Sequence, residues 1–173
     1  LSLYAHHRLV KSIEEQVGAT REGLGVFVDD EVRATLRSCC TVAEFQLLLC
    51  GTKEIDVDDW EGSAKYGGGY AAASEQVGWF WAAVRAMTPE ERGKLLHVCP
   101  GSVRAPATGF ANLMGYRGQQ QRFTIERDPR DAERLPVASA CFNKLLLPAY
   151  ASRETLAAKL RLAISLTDGS FHE

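Results

Sequence analysis

The amino-acid sequence predicts an α+β fold, in which helices dominate the first part and a small sheet with packed helices forms the second. Three observations carry this. Apolar residues recur at helical spacing through the early chain and again from Val77 to Val84. Arg122-Phe123-Thr124-Ile125-Glu126 alternates with the period of a strand. A short apolar run that ends at Pro148 follows a loop bounded by Pro136, so the intervening segment reads as one strand with Cys141 at its entrance.

The elements follow in order. Leu3, Leu9, Val10, Ile13 and Val17 give residues 1–22 an amphipathic helical face, which Gly23 and Gly25 stop. Asp29 or Asp30 caps a short helix to Leu36. Thr41-Val42-Ala43-Glu44 is a capping box ahead of Phe45 to Cys50, and Gly51 suits a left-handed end. Residues 51–59 turn polar and acidic, which marks a boundary or hinge. A short helix is expected from Trp60 to Lys65. Tyr66-Gly67-Gly68-Gly69-Tyr70 reads as a loop, because the residues that complete a phosphate cradle are missing.

Ser74 to Met87 is a helix with Val77, Phe80, Trp81 and Val84 on its apolar face and Trp79 beside it. Thr88 caps the next helix, Pro89 sits in its first turn, and Pro100-Gly101 ends it. Ser102 to Gly118 is rich in Gly and Pro but keeps Val103, Phe110, Leu113 and Met114 for packing. Asp128 to Glu133 is a charged loop. Ser152 caps a last helix through Leu156, Leu160, Leu162, Ala163 and Ile164, which fades into Thr167 to Glu173.

Composition limits the function. Apolar residues make up 46% of the 173, enough for a real core. Net charge is −2, so no global field recruits nucleic acid or anionic lipid. No stretch is long and apolar enough to insert in a membrane. The chain opens on Leu1 rather than Met, inside a helical pattern, as expected of a piece of a longer protein.

The five cysteines, Cys39, Cys40, Cys50, Cys99 and Cys141, show no CxxC spacing and are odd in number. A zinc site or disulfide framework is therefore not expected, and a reducing compartment fits. Cys50 reads as core and Cys99 as half-buried, while Cys39 and Cys40 cannot both face a core. The histidines, His6, His7, His97 and His172, all lie far from Cys141 in sequence. A Cys-His dyad has to be built by folding, and a metal at His97 has no partner residue to support it.

The Cys141 segment, from Leu135 to Tyr150, resembles the signature around the cysteine of HECT-type ubiquitin ligases. Leu95 to Phe110, Phe123 to Glu126, Leu47 to Trp81 and Arg8 to Ile13 resemble other segments of that family, in the same order. The resemblance covers almost the whole chain. It implies a catalytic domain of two lobes. Residues 1–52 look like the helical end of the N-terminal lobe, 53–58 like the hinge, and 59–173 like the α+β C-terminal lobe that carries the nucleophile.

The resemblance also implies the chemistry. Cys141 takes ubiquitin from a conjugating enzyme as a thioester and passes it to a lysine of a substrate protein. No cofactor or metal enters, and the expected setting is intracellular, cytoplasmic or nuclear. Exchange of one thioester for another is nearly balanced, so it needs little acid-base help. An ordinary cysteine, with a pKa of about 8.5, supplies enough thiolate if binding aligns the two sulfurs.

Several residues stand as supports. Strand alternation puts Asn143 on the face of Cys141, either to bond the thioester carbonyl or to tie a loop to a strand end. Ser139 offers a hydroxyl. Asp168 or Glu173 in the tail can assist the amine or be no more than disordered terminal charges, and Phe171 can dock on the other lobe or on ubiquitin or cover its own lobe. The chain departs from the family at Ala140, where threonine is usual, and at Pro100, and the register before Phe171 is shifted. The departures at Ala140 and Pro100 lend weight to one alternative, a degenerate lobe that binds ubiquitin or a partner without transfer; a thiol hydrolase that uses His97 is a separate alternative.

Overall fold

The computed structural model of the chain describes residues 4, 7–8, 10–102 and 104–167. The chain divides into two compact units, one reaching Phe45 and one from Gln46 onward.

The first unit is helical. A single 3-10 turn, Lys11–Ile13, leads into α1, Glu14–Gly25. The expected helix over 1–22 thus breaks at Ile13, whose backbone (φ −119°, ψ 6°) is not helical. Helix α2, Asp30–Cys39, is capped as expected by Asp29, whose carboxylate accepts the Val32 N–H at 2.9 Å. Neither helix buries a residue. Val10, Ile13 and Val17 of the expected apolar face are exposed, and Leu3 and Leu9 lie outside the described residues.

Helix α3, Val42–Cys50, crosses the division between the units. Its capping box forms as the spacing predicts. The Thr41 N–H donates to Glu44 Oε2 at 2.7 Å, and the Glu44 N–H to Thr41 Oγ1 at 3.3 Å. Gly51 ends it at φ 71°. Cys50 is exposed rather than core, because the last turn of α3 turns Leu48, Leu49 and Cys50 to solvent.

The second unit begins with an antiparallel bridge between Thr52 and Ala105. Helix α4, Val57–Ser63, starts three residues earlier than the sequence pattern suggests. Asp56 is the reason. Its carboxylate accepts the N–H groups of Asp58 at 2.9 Å and Asp59 at 3.1 Å, and the acidic first turn suits the positive end of the helix. Ile55 and Val57, inside the segment expected to be a hinge, are buried.

Residues 65–70 are not simply a loop. Strand β1, Lys65–Gly67, pairs in parallel with β2, Thr124–Asp128, and only then do Gly68 (φ 65°) and Gly69 (φ 101°) turn the chain. Three residues without alternation give no strand signal of their own; the neighbouring strand makes them one. Strand β2 also sits two residues beyond its expected start.

Helices α5, Glu75–Arg85, and α6, Pro89–Val98, follow, the latter with a complete Thr88–Glu91 capping box. Next come β2, β3 (Val137–Ser139), β4 (Lys144–Pro148) and α7, Arg153–Thr167. The sheet order is β1-β2-β4-β3, with β2 and β4 parallel and β3 and β4 antiparallel.

The core lies between this sheet and the helices. Trp60 is fully buried, stacks on Phe110 (centroids 5.0 Å apart) and meets Trp81 edge-on at 5.7 Å. Phe80, Phe123, Ile125, Leu145 and Leu147 join them, and α7 adds Leu156, Leu160 and Ile164. Met114, expected to pack, is instead exposed, and Val103 lies outside the described residues. Cys99 is wholly buried rather than half-buried.

Candidate functional site

Cys141 is exposed. It does not open a strand. Residues Ala140–Phe142 form a 3-10 turn between β3 and β4, so the expected strand starts at Lys144. Asn143 is the cause. It closes the turn in the left-handed conformation (φ 47°, ψ 41°), and its N–H donates to the Ala140 carbonyl at 3.1 Å. A left-handed residue cannot continue a strand, and asparagine is among the few non-glycine residues that tolerate the conformation. The alternation expected to align Cys141 with Asn143 therefore does not exist, and the two side chains part. Cys141 is exposed, and Asn143 is fully buried.

The buried amide is used. Asn143 Nδ2 donates to the Met114 carbonyl at 3.1 Å and to the Gln121 carbonyl at 2.6 Å. The Asn143 carbonyl in turn accepts the Thr124 N–H at 2.9 Å, at the start of β2. Both amide hydrogens are committed to backbone, which is the loop-tying role. The side chain thus stitches the thiol turn to residues 114 and 121 of an earlier loop. Gln121 adds a bond from its own side chain, whose Nε2 donates to the Phe142 carbonyl at 2.6 Å. No pattern in the sequence marks Gln121, since its contacts join residues about twenty positions away.

The other candidates fall as follows. Ser139 ends β3 opposite Lys144 and is partly buried; it makes no side-chain cap on the turn. Ala140 faces Gly101, where an added Cβ would meet the Ala140 methyl at 3.7 Å. Lys144 pairs with Glu126 at 2.8 Å across the sheet. His97 is half-buried on α6. Asp168, Phe171 and Glu173 lie outside the described residues.

Chemistry elsewhere is limited. Burial pushes the Cys99 thiol up to about 12. Asp128, at the buried end of β2, is held down to about 2, chiefly by the Arg130 guanidinium, which bonds it at 2.7 and 2.8 Å. Among the described residues no group of three or more His, Cys, Asp or Glu is placed to hold a metal. A polar cleft of about 810 Å³ is lined by Asp58, Asp59, Arg85, Arg92 and the 105–110 loop, without Cys141. Cys141 stands instead on an exposed turn, beside the exposed apolar Phe142 that follows it in sequence. An exposed, anchored thiol beside apolar surface suits reaction with a macromolecule better than with a small molecule held in a pocket.

The family model described as HECT-domain (ubiquitin-transferase) matches residues 1–173. The chain is 40% identical over 162 residues to the E3 ubiquitin-protein ligase NEDD4 of Homo sapiens, covering 94% of this chain and 12% of that protein. It is 39% identical over 171 residues to the E3 ubiquitin-protein ligase HACE1 of Bos taurus, covering 99% of this chain and 18% of the relative. It is 37% identical over 163 residues to the TOM1-like E3 ubiquitin-protein ligase of Neurospora crassa, covering 94% of this chain and 4% of the relative. The chain thus spans less than a fifth of the length of each of these relatives. With that match over its whole length, the chain belongs to the HECT-domain (ubiquitin-transferase) family.

Proposed function

We propose that this chain is the thioester-forming part of a ubiquitin-protein transferase and that Cys141 is the acceptor. The observation that carries the reading is the exposed Cys141 thiol on a turn whose flanking residues are tied by side-chain amides to the body of the unit, in a chain of this family. In the first step the Cys141 thiolate attacks the carbonyl carbon that joins the carboxyl end of ubiquitin to the cysteine of a conjugating enzyme. The new C–S bond forms on Cys141, and the old one breaks to release the conjugating enzyme as a thiolate. In the second step the free amine of a substrate lysine attacks the same carbonyl. The C–N bond forms, Cys141 leaves as thiolate, and the nitrogen loses a proton to a nearby base or to water.

The tail residues Asp168 and Glu173 are the bases this reading calls on, and Phe171 its docking residue. Asn143 acts by shaping the turn. Residues 1–52 supply the end of the N-terminal lobe and 59–173 the C-terminal lobe. Residues 53–58 join them; within this segment Ile55 and Val57 are buried, and Lys53 and Glu54 are exposed. The partners are ubiquitin, a conjugating enzyme and a substrate protein, in the cytoplasm.

The test mixes the full-length protein with a conjugating enzyme carrying ubiquitin. A ubiquitin adduct that reducing agent removes is expected. Cys141→Ala should abolish it, and Cys141→Ser should abolish it or turn it into a reducer-resistant oxyester. Substitution of the other exposed cysteines, Cys39 and Cys50, should leave it intact. An adduct that survives Cys141→Ala refutes the assignment. Ubiquitin affinity without any adduct supports a binding lobe, and turnover of a small ester without ubiquitin supports a hydrolase.

A further inference from the structure

Gln121 exchanges bonds with the turn that presents Cys141. Its side-chain Nε2 donates to the Phe142 carbonyl at 2.6 Å, and its own carbonyl accepts Asn143 Nδ2 at 2.6 Å. Each amide side chain therefore holds the other's segment. The backbone of Gln121 is fixed in turn, because its N–H donates to the Leu113 carbonyl at 2.7 Å. The peptide that Gln121 grips lies one residue beyond the thiol.

Gly115 is the second, independent observation. Its backbone is extended (φ −112°, ψ −154°), a conformation that does not require glycine. A Cβ there, however, would stand 2.6 Å from Gln121 Oε1 and 2.8 Å from Gln121 Cβ. Glycine at this position keeps open the space that the Gln121 side chain occupies. The bond so protected lies at the surface, where a hydrogen bond exchanges readily with water and adds little to folding. What it does fix is the direction of one peptide beside the sulfur.

We infer that Gln121 is a positioning residue for Cys141: its amide holds the Phe142 peptide and so sets the angle at which the thiol meets an incoming acyl carbonyl. The inference rests on Cys141 being the acceptor. Correct alignment of reacting atoms is worth large factors in rate, and a misplacement of about 1 Å costs on the order of a hundredfold.

The test uses the full-length protein and ubiquitin activated as a thioester of mercaptoethanesulfonate, a donor that needs no conjugating enzyme. Gln121→Glu keeps the size but replaces the donor by an acceptor. Gly115→Ala leaves Gln121 in place but crowds it. The maximal single-turnover rate of transfer to Cys141 is expected to fall at least about tenfold in each variant, with the half-saturating donor concentration unchanged. The double variant should lose little more than either single one, because both act through one contact. Iodoacetamide labelling of Cys141 should stay within about twofold, since a small reagent needs no alignment, and the melting temperature of Gln121→Glu within about 2 °C. A transfer rate in Gln121→Glu within about twofold of the parent overturns the inference, as does a parallel loss of transfer, labelling and melting temperature. If Cys141→Ala still takes up ubiquitin, the acceptor assignment itself fails, whatever the Gln121 variants do.

Discussion

Replacing Asn143 separates the two roles that this buried residue combines. It supplies two hydrogen bonds, to the Met114 and Gln121 carbonyls, and it occupies a left-handed backbone conformation. Each bond is worth about 1 kcal/mol net, so losing both costs about 2 kcal/mol. Alanine keeps the left-handed turn only at a further cost of about 1–2 kcal/mol. Glycine adopts the turn freely but costs about 0.5–1 kcal/mol in the entropy of the unfolded chain. Asn143→Ala is therefore expected to destabilise by about 3–4 kcal/mol and Asn143→Gly by about 2.5–3 kcal/mol. Asn143→Asp should be the worst of the three, because it sets a carboxylate against two carbonyl oxygens without the donors. Urea unfolding followed by tryptophan fluorescence measures all three, with Trp60 and Trp81 in the core as reporters. The reasoning fails if Asn143→Ala costs less than about 1 kcal/mol, or if glycine proves worse than alanine.

Three further outcomes follow from contacts already described. Gly51→Ala should destabilise by more than about 2 kcal/mol in thermal melts, because the added Cβ would stand 2.2 Å from the Ala105 carbonyl oxygen and φ is 71°; a neutral substitution would mean that the Thr52–Ala105 bridge gives way freely. Asp128 is a carboxylate whose folded-state pKa is depressed, so its contribution to stability is complete above about pH 4 and is lost as pH falls toward about 2. Arg130→Ala should weaken that acid-limb loss in urea midpoints measured from pH 5 to pH 2, and an unchanged slope would show that the pair is not its source. Brief iodoacetamide treatment at neutral pH should label Cys39, Cys50 and Cys141 in the mass spectrum but leave Cys99 unmodified until urea unfolds the chain, since Cys99 is sealed and its thiol is raised to about 12.

Local chemistry was legible in the sequence. Asp29, Thr41 with Glu44, Thr88 and Ser152 all cap helices as their spacing predicts, because a cap is decided within four residues. The Phe80–Trp81 core face was legible for the same reason of period. Structure set by distant partners was not. Strand β1 exists only because β2 runs beside it, and the turn at Cys141 exists because Asn143 finds carbonyls at residues 114 and 121. Asp56 hid a helix start inside a run of acids that reads as solvated loop. Cys50 follows three leucines, yet lies exposed, since apolar sequence does not say which side of a helix end meets protein. The flanking motif singles out Cys141 in the sequence, whereas its conformation is set by contacts that no motif records.

The parallel pairing of β2 with β4 bears on biosynthesis. On the ribosome, β1 and β2 emerge well before the segment that carries the thiol, and α7 emerges after it. Leu156, Leu160 and Ile164 of α7 close the core over which the sheet lies. Truncation between Phe142 and α7 would leave the Cys141 turn without the helix that closes the core behind its sheet.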